Sequence, residues 1–233
     1  MRMRIHIPLL AAAALLLHGC SSDLLVRTVD QGVIEYALSF PDYDPNGLMA
    51  GMLPERTLVT FTKDRQVVEL SAGMGVFRTA MITDSRQRAM DYHLAILSKK
   101  LVAHMSEREV RQLDEGTPVL TILHTPDRDT IAGYPCRKAI ALFADMGQPE
   151  IDLWYTDRIG VEDPNWFGPF ADIPGMLLRY EVEQYGMRMR LDAVNVKPGP
   201  VDEAKFAVKK DHEPVEPAVL QHEMEEVLST FTL

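Results

Sequence analysis

A chain of 233 residues with 46% hydrophobic side chains can bury a sizeable core, and its length demands no more than one folded domain. The balance is acidic, with 34 Asp and Glu against 24 Lys and Arg and a formal charge of −10. That sign argues against nucleic acid as a partner and against an electrostatic grip on anionic lipid.

At the N-terminus Arg2 and Arg4 precede an apolar run from Ile5 to Leu17, and Leu17-His18-Gly19-Cys20 follows. A short basic region, an apolar run too short for a comfortable membrane span and a small residue before a cleavage point have the order of a secretory signal. A cysteine directly after that small residue resembles the lipobox of bacterial lipoproteins, with His18 standing where that family carries a small or β-branched residue. The resemblance implies that residues 1–19 are a signal peptide and that Cys20 becomes the lipid-carrying first residue. Acyl chains then hold the protein on a membrane of the cell envelope, and Ser21 and Ser22 favour the outer one. Without residues 1–19, which hold two arginines and no acid, 22 basic and 34 acidic residues remain, a formal charge of −12. Attachment must then come from the acyl chains rather than from a basic face. With Cys20 acylated, Cys136 is the only thiol left and no intramolecular disulfide can form.

Residues 20–31 read as the lipidated tether, and period-two patterns dominate from there onward. Gly32 to Phe40 alternates around Val33, Tyr36 and Leu38, and Arg56 to Thr62 is rich in β-formers. Gln66 to Ala72 and Val76 to Thr83 flank Gly73-Met74-Gly75, whose glycines permit a tight reversal. Tyr92 to Leu97 and Leu101 to His104 read as a further pair. Val119 to His124, Arg137 to Phe143 and Ile151 to Tyr155 continue the series, and Met176 to Gln184 and Met187 to Val196 form a long hairpin turning at Tyr185-Gly186. Helical signals are few: Ser106 to Leu113, opened by a capping box through Glu109; Pro164 to Ile173, a short helix or packed loop; and the segment from Pro217. In the last of these Leu220, Met224, Val227, Leu228 and Phe231 recur at helical spacing, and Pro198 to Pro217 runs over the surface to reach it. The domain reading is therefore a β domain over 32–206, then a charged linker and amphipathic helix over 207–233.

Three segments carry a family resemblance: Thr130-Ile131-Ala132-Gly133-Tyr134-Pro135-Cys136-Arg137-Lys138-Ala139, Leu153-Trp154-Tyr155-Thr156, and Ile173-Pro174-Gly175-Met176-Leu177-Leu178. In this order they resemble the GLPGLI family of bacterial secreted proteins, with Asp172 in place of the first glycine of that name. The resemblance implies a fold similar to the periplasmic lipoprotein carriers. That is a mainly β, strongly curved antiparallel sheet or incomplete barrel, with a few short helices on the concave side and a C-terminal helix. Locally, Pro174-Gly175 reads as a reversal with glycine at positive φ, and Trp154 and Tyr155 as neighbours on opposite strand faces.

No catalytic constellation emerges. Asp42-Tyr43-Asp44-Pro45-Asn46-Gly47 imitates the opening of a calcium loop, but Leu53 occupies the twelfth position and the segment reads as an Asx turn. His93, His104, His124, His212 and His222 lie at no metal-ligand spacing, and G-x-S-x-G and phosphate-cradling loops are absent from the sequence. The expectation is a non-enzyme with no cofactor and no metal, and with Cys136 a small buried residue rather than a nucleophile. Thirteen methionines are many for this length; they serve as core filler or as an adaptable apolar binding surface. The apolar, glycine-punctuated loop around Leu48, Met49, Met52 and Leu53 reads as a candidate lid. The leading expectation is a membrane-anchored lipoprotein that binds an apolar ligand, an acyl chain or a lipidated protein. The alternative is an envelope interaction or regulatory protein that binds a protein partner through its sheet face or C-terminal helix.

Overall fold

The computed structural model describes residues 28–44, 46–47, 50–113, 119–144, 150–184 and 186–229. Cys20 with the signal segment, Leu48, Met49 and Phe231 lie outside them.

The alternating patterns become one twelve-stranded sheet. Its strands are β1 (Gly32–Ser39), β2 (Arg56–Phe61), β3 (Arg65–Ala72), β4 (Phe77–Asp84), β5 (Ala89–Ile96) and β6 (Lys99–Ser106), then β7 (Leu120–Ile131), β8 (Tyr134–Phe143), β9 (Ile151–Thr156), β10 (Met176–Gln184), β11 (Met187–Pro198) and β12 (Glu213–Pro214). Two meanders, β1 to β6 and β7 to β11, join where β11 pairs with β1, from Gly32 opposite Pro198 to Ser39 opposite Arg190. Every ladder is antiparallel except the short parallel one between β12 and β6. The end strands β7 and β12 do not pair with each other, so the sheet is not closed. Among the described residues no helix is long and apolar enough to cross a membrane.

Turn chemistry sets the registers. Gly73, Met74 and Gly75 all adopt positive φ, at 56°, 55° and 85°, and close the β3–β4 reversal. Gly175 corrects its own reading, because its φ is not in the left-handed region. A Cβ there would stand 2.5 Å from the backbone oxygen of Thr156, so glycine is required by the close approach of β9 rather than by backbone conformation. The strand read as ending at His124 continues to Ile131 through an irregularity between His124 and Arg128, around Pro126. As β7 is an edge strand, the donor that proline lacks leaves no ladder bond unmade. Pro164 to Ile173 is a run of turns, not a helix, with Trp166 and Phe170 buried. Residues 28–31, beyond the start of β1, belong to the folded body: the Val29 N–H donates to Arg158 O at 2.9 Å, and the Gly160 N–H to Val29 O at 2.8 Å.

Helix α1 (Glu107–Leu113) starts as a capping box, with Glu109 Oε2 accepting from the Ser106 N–H at 2.8 Å. Helix α2 (Pro217–Ser229) begins at proline, whose missing donor is harmless in the first turn. Leu220, Met224 and Leu228 of α2 and Val110 of α1 join one apolar cluster with Phe77, Leu94, Leu101 and Met105. The other face of β3 and β4 carries Val67, Ala80 and Ile82, which Phe206 covers. The linker is thus a strap. It holds the outer face through Phe206 and through the Lys209 N–H donating to His93 Nε2 at 3.2 Å. It then forms β12 beside β6 and delivers α2 to the opposite face.

Candidate apolar binding pocket

In a strand, residues two apart share a face. Tyr36 and Leu38 of β1, Thr57 and Val59 of β2, Val68 and Leu70 of β3, and Thr79 and Met81 of β4 obey that period and line a single pocket. Register aligns them in rows: Val59 opposes Val68, Val68 opposes Met81, and Met81 opposes Tyr92 of β5. Met176, Leu177, Tyr180 and Val182 of β10 and Met187, Met189 and Leu191 of β11 supply more of the wall. Val110 and Leu113 of α1, Met224 and Leu228 of α2, and the turn segment with Asn165, Phe167 and Phe170 complete it. The cavity measures about 570 Å³, within the ~300–1,000 Å³ usual for small-molecule sites.

Methionine concentrates here. Of nine methionines among the described residues, Met52, Met81, Met90, Met176, Met187, Met189 and Met224 line the pocket; only the fully exposed Met74 and the buried Met105 do not. A flexible thioether accommodates apolar partners of varied shape, so this distribution suits a receptive wall better than plain filler. Within the candidate lid, Met52 and Leu53 line the pocket, Leu53 packed against the α2 cluster and Met52 exposed. Leu48 and Met49 lie outside the described residues.

The polar groups of the wall are mostly tied into the protein. Tyr36 Oη donates to Leu177 O at 2.7 Å, Thr57 Oγ1 to Glu69 O at 2.8 Å, and Gln66 Nε2 to Pro164 O at 2.7 Å. Asn165 Nδ2 donates to both Ile173 O and Gly175 O at 2.9 Å, clamping the Phe167 and Phe170 segment against the start of β10. Burial pushes the Tyr36 and Tyr180 phenols up from their ordinary values, so both stay neutral. Their rings meet edge to face at 6.3 Å, and Phe170 meets Tyr180 likewise at 6.1 Å.

Other residues singled out from sequence sit elsewhere. Cys136 is buried, its thiol donating to Tyr134 O at 3.4 Å, and burial pushes its pKa up to about 12. A thiol so held is protonated at neutral pH and makes a poor nucleophile. Asp44 forms an Asx turn, accepting from the Asn46 N–H at 2.9 Å, while Asp42 pairs with Arg188 at 2.9 Å. Among the described residues no group of three or more His, Cys, Asp or Glu is placed to hold a metal ion. Tyr155 is buried with its hydroxyl 3.1 Å from His124 Nδ1, and Trp154 on the other face lies under Lys138. The fold also joins two histidines that spacing left apart: the His93 and His212 rings meet edge to face at 5.2 Å.

No protein-family model matches the sequence, and no curated protein is detectably similar to it. Among solved structures the chain is similar to a β-barrel-like protein of a domain of unknown function, DUF1849, from Brucella abortus. The identity is 10%, with 75% of this chain and 100% of that one covered, at a TM-score of 0.34.

Proposed function

We propose that this chain is a non-catalytic binding module for an apolar ligand, an acyl chain or a lipidated protein, held on the envelope membrane by acyl groups on Cys20. The observation that carries the reading is the 570 Å³ cavity on one sheet face, with seven methionines in its wall. The reading takes the sheet as a strongly curved, incomplete barrel with α1 and α2 on its concave side, and Met52 and Leu53 at the cavity's edge as part of a lid. In this reading Cys20 is the anchor, in line with the lipobox resemblance of residues 17–20. The direct test is native mass spectrometry of the full chain carrying Cys20→Ser, which has no acyl group of its own. The reading expects co-purified lipid and saturable binding of a fluorescent acyl probe; a bare chain that binds no probe defeats it.

A protein partner is the second reading, and one observation favours it. The edge strand β7 presents a long row of open backbone positions, with Leu123 exposed and Val119 exposed just before it. In-cell crosslinking that captures one dominant protein through β7 supports this reading over the first.

A further inference from the structure

The lining residues that remain exposed to solvent mark the rim of the cavity: Met52, Leu113, Glu183, Gln184 and Glu225. Two of these five are charged, and both are carboxylates. Among the described residues no lysine, arginine or histidine lines the pocket. Neither Glu183 nor Glu225 makes an ion pair among the described residues, although Arg188 stands opposite Glu183 in the β10–β11 ladder. Glu225 Oε1 accepts from Gln221 Nε2 of its own helix at 3.2 Å. Arg188 is itself engaged with Asp42 at 2.9 Å, and Lys99, which reaches α2, is engaged with Glu223 at 2.6 Å.

An amphiphile entering such a cavity tail first leaves its head group at the rim. A carboxylate or phosphate head there meets like charge and, among the described lining residues, no cation, which opposes binding. A neutral ester, amide or alcohol head meets no such opposition, and a quaternary ammonium is attracted. In the deeper wall the hydroxyl of Tyr36 and the amides of Gln66 and Asn165 already donate to backbone carbonyls.

We infer that the pocket selects amphiphiles with neutral or cationic head groups and rejects free fatty acids and other anionic lipids, with Glu183 and Glu225 setting the discrimination. This rests on the reading of the cavity as an apolar binding site. It separates an acyl chain carried in ester or amide linkage from the same chain as a free acid.

The test uses the full chain with Cys20→Ser and three competitors of one chain length: dodecanol, dodecanoate and dodecyltrimethylammonium. Each displaces the neutral dye N-phenylnaphthylamine at neutral pH and low salt. Dodecanoate is expected to compete about tenfold more weakly than dodecanol, and the ammonium at least as well as dodecanol. The gap should shrink as salt is raised, because rim charges are screened. In the Glu183→Gln, Glu225→Gln double variant the carboxylate penalty, read as the ratio of dodecanol to dodecanoate affinity, should vanish. Equal binding of carboxylate and alcohol overturns the selectivity and leaves the cavity reading standing. An undiminished penalty in the double variant overturns the assignment to these two residues. Absence of dye binding altogether overturns the cavity reading itself.

Discussion

Replacing Met81 with tryptophan asks whether the cavity is open in solution. Met81 lies half-buried on β4 between Val68 and Tyr92, and its side chain borders the 570 Å³ space. In a filled core, forcing in a larger side chain costs ~1–3 kcal/mol. Facing open space, the indole finds room, and every further ~50 Å² of apolar surface it buries contributes about 1 kcal/mol at ~25 cal/mol per Å². The stability of Met81→Trp should therefore lie within about 1 kcal/mol of the parent, or above it. Phe61→Trp is the matched control, because Phe61 is 0% exposed and lies outside the cavity lining, so it should lose the ~1–3 kcal/mol of an overpacked site. Urea titrations followed by circular dichroism give both values, with an unchanged m confirming a common unfolded reference. The same Met81→Trp protein should bind an acyl probe at least about tenfold more weakly, since the indole occupies ligand volume. If Met81→Trp is destabilised as much as Phe61→Trp, the cavity is packed shut in solution and the argument from its volume fails.

Three further outcomes follow from the same geometry. His93 is 1% exposed, and burial, then the neighbouring His212, pulls its pKa below the ordinary imidazole value, with Lys209 and Asp91 the charged groups also facing it. Because the unfolded chain then takes up that proton first, stability is full above about pH 6.5 and falls below it, by at most ~1.4 kcal/mol per pH unit; His93→Gln should flatten that slope in urea midpoints measured across the range, and equal slopes would refute the assignment. Cys136, buried and with its pKa raised to about 12, should react with iodoacetamide only as fast as the protein unfolds, and rapid labelling of the folded chain would revive a reactive-thiol role. Gly175→Ala places a Cβ 2.5 Å from Thr156 O, a backbone atom that cannot swing aside, so a loss of about 1–3 kcal/mol in thermal or urea melts is expected, whereas a neutral effect would mean that β9 and β10 separate freely there.

What could be read from the sequence is what local physics decides. The alternation in Gln66 to Ala72 and Val76 to Thr83 announced strands, and the Gly73-Met74-Gly75 reversal placed them in register, because period and turn chemistry act over a few residues. The helical stripe of Leu220, Met224 and Leu228 likewise gave α2 its buried face. The same local logic misled at Gly175, where the reason for glycine is a carbonyl on another strand. It also stopped β7 at His124, since only the absence of a second neighbour makes Pro126 tolerable in a strand.

The pocket was not legible for a related reason, since it is made by elements distant in the chain. Tyr36 closes on Leu177 across 141 positions, and the wall from β4 meets α2 only because the strap crosses the sheet edge beside β6. A methionine count could signal softness but not place it. Seven methionines scattered from Met52 to Met224 become one surface only after the two meanders join through β1 and β11. The strap is fastened on the outer face by Phe206 and by the Lys209 N–H to His93 bond, while the helix it delivers forms an inner wall. One segment therefore serves both faces of the sheet, and its pairing with β6 through β12 fixes where α2 meets the wall built from the two meanders.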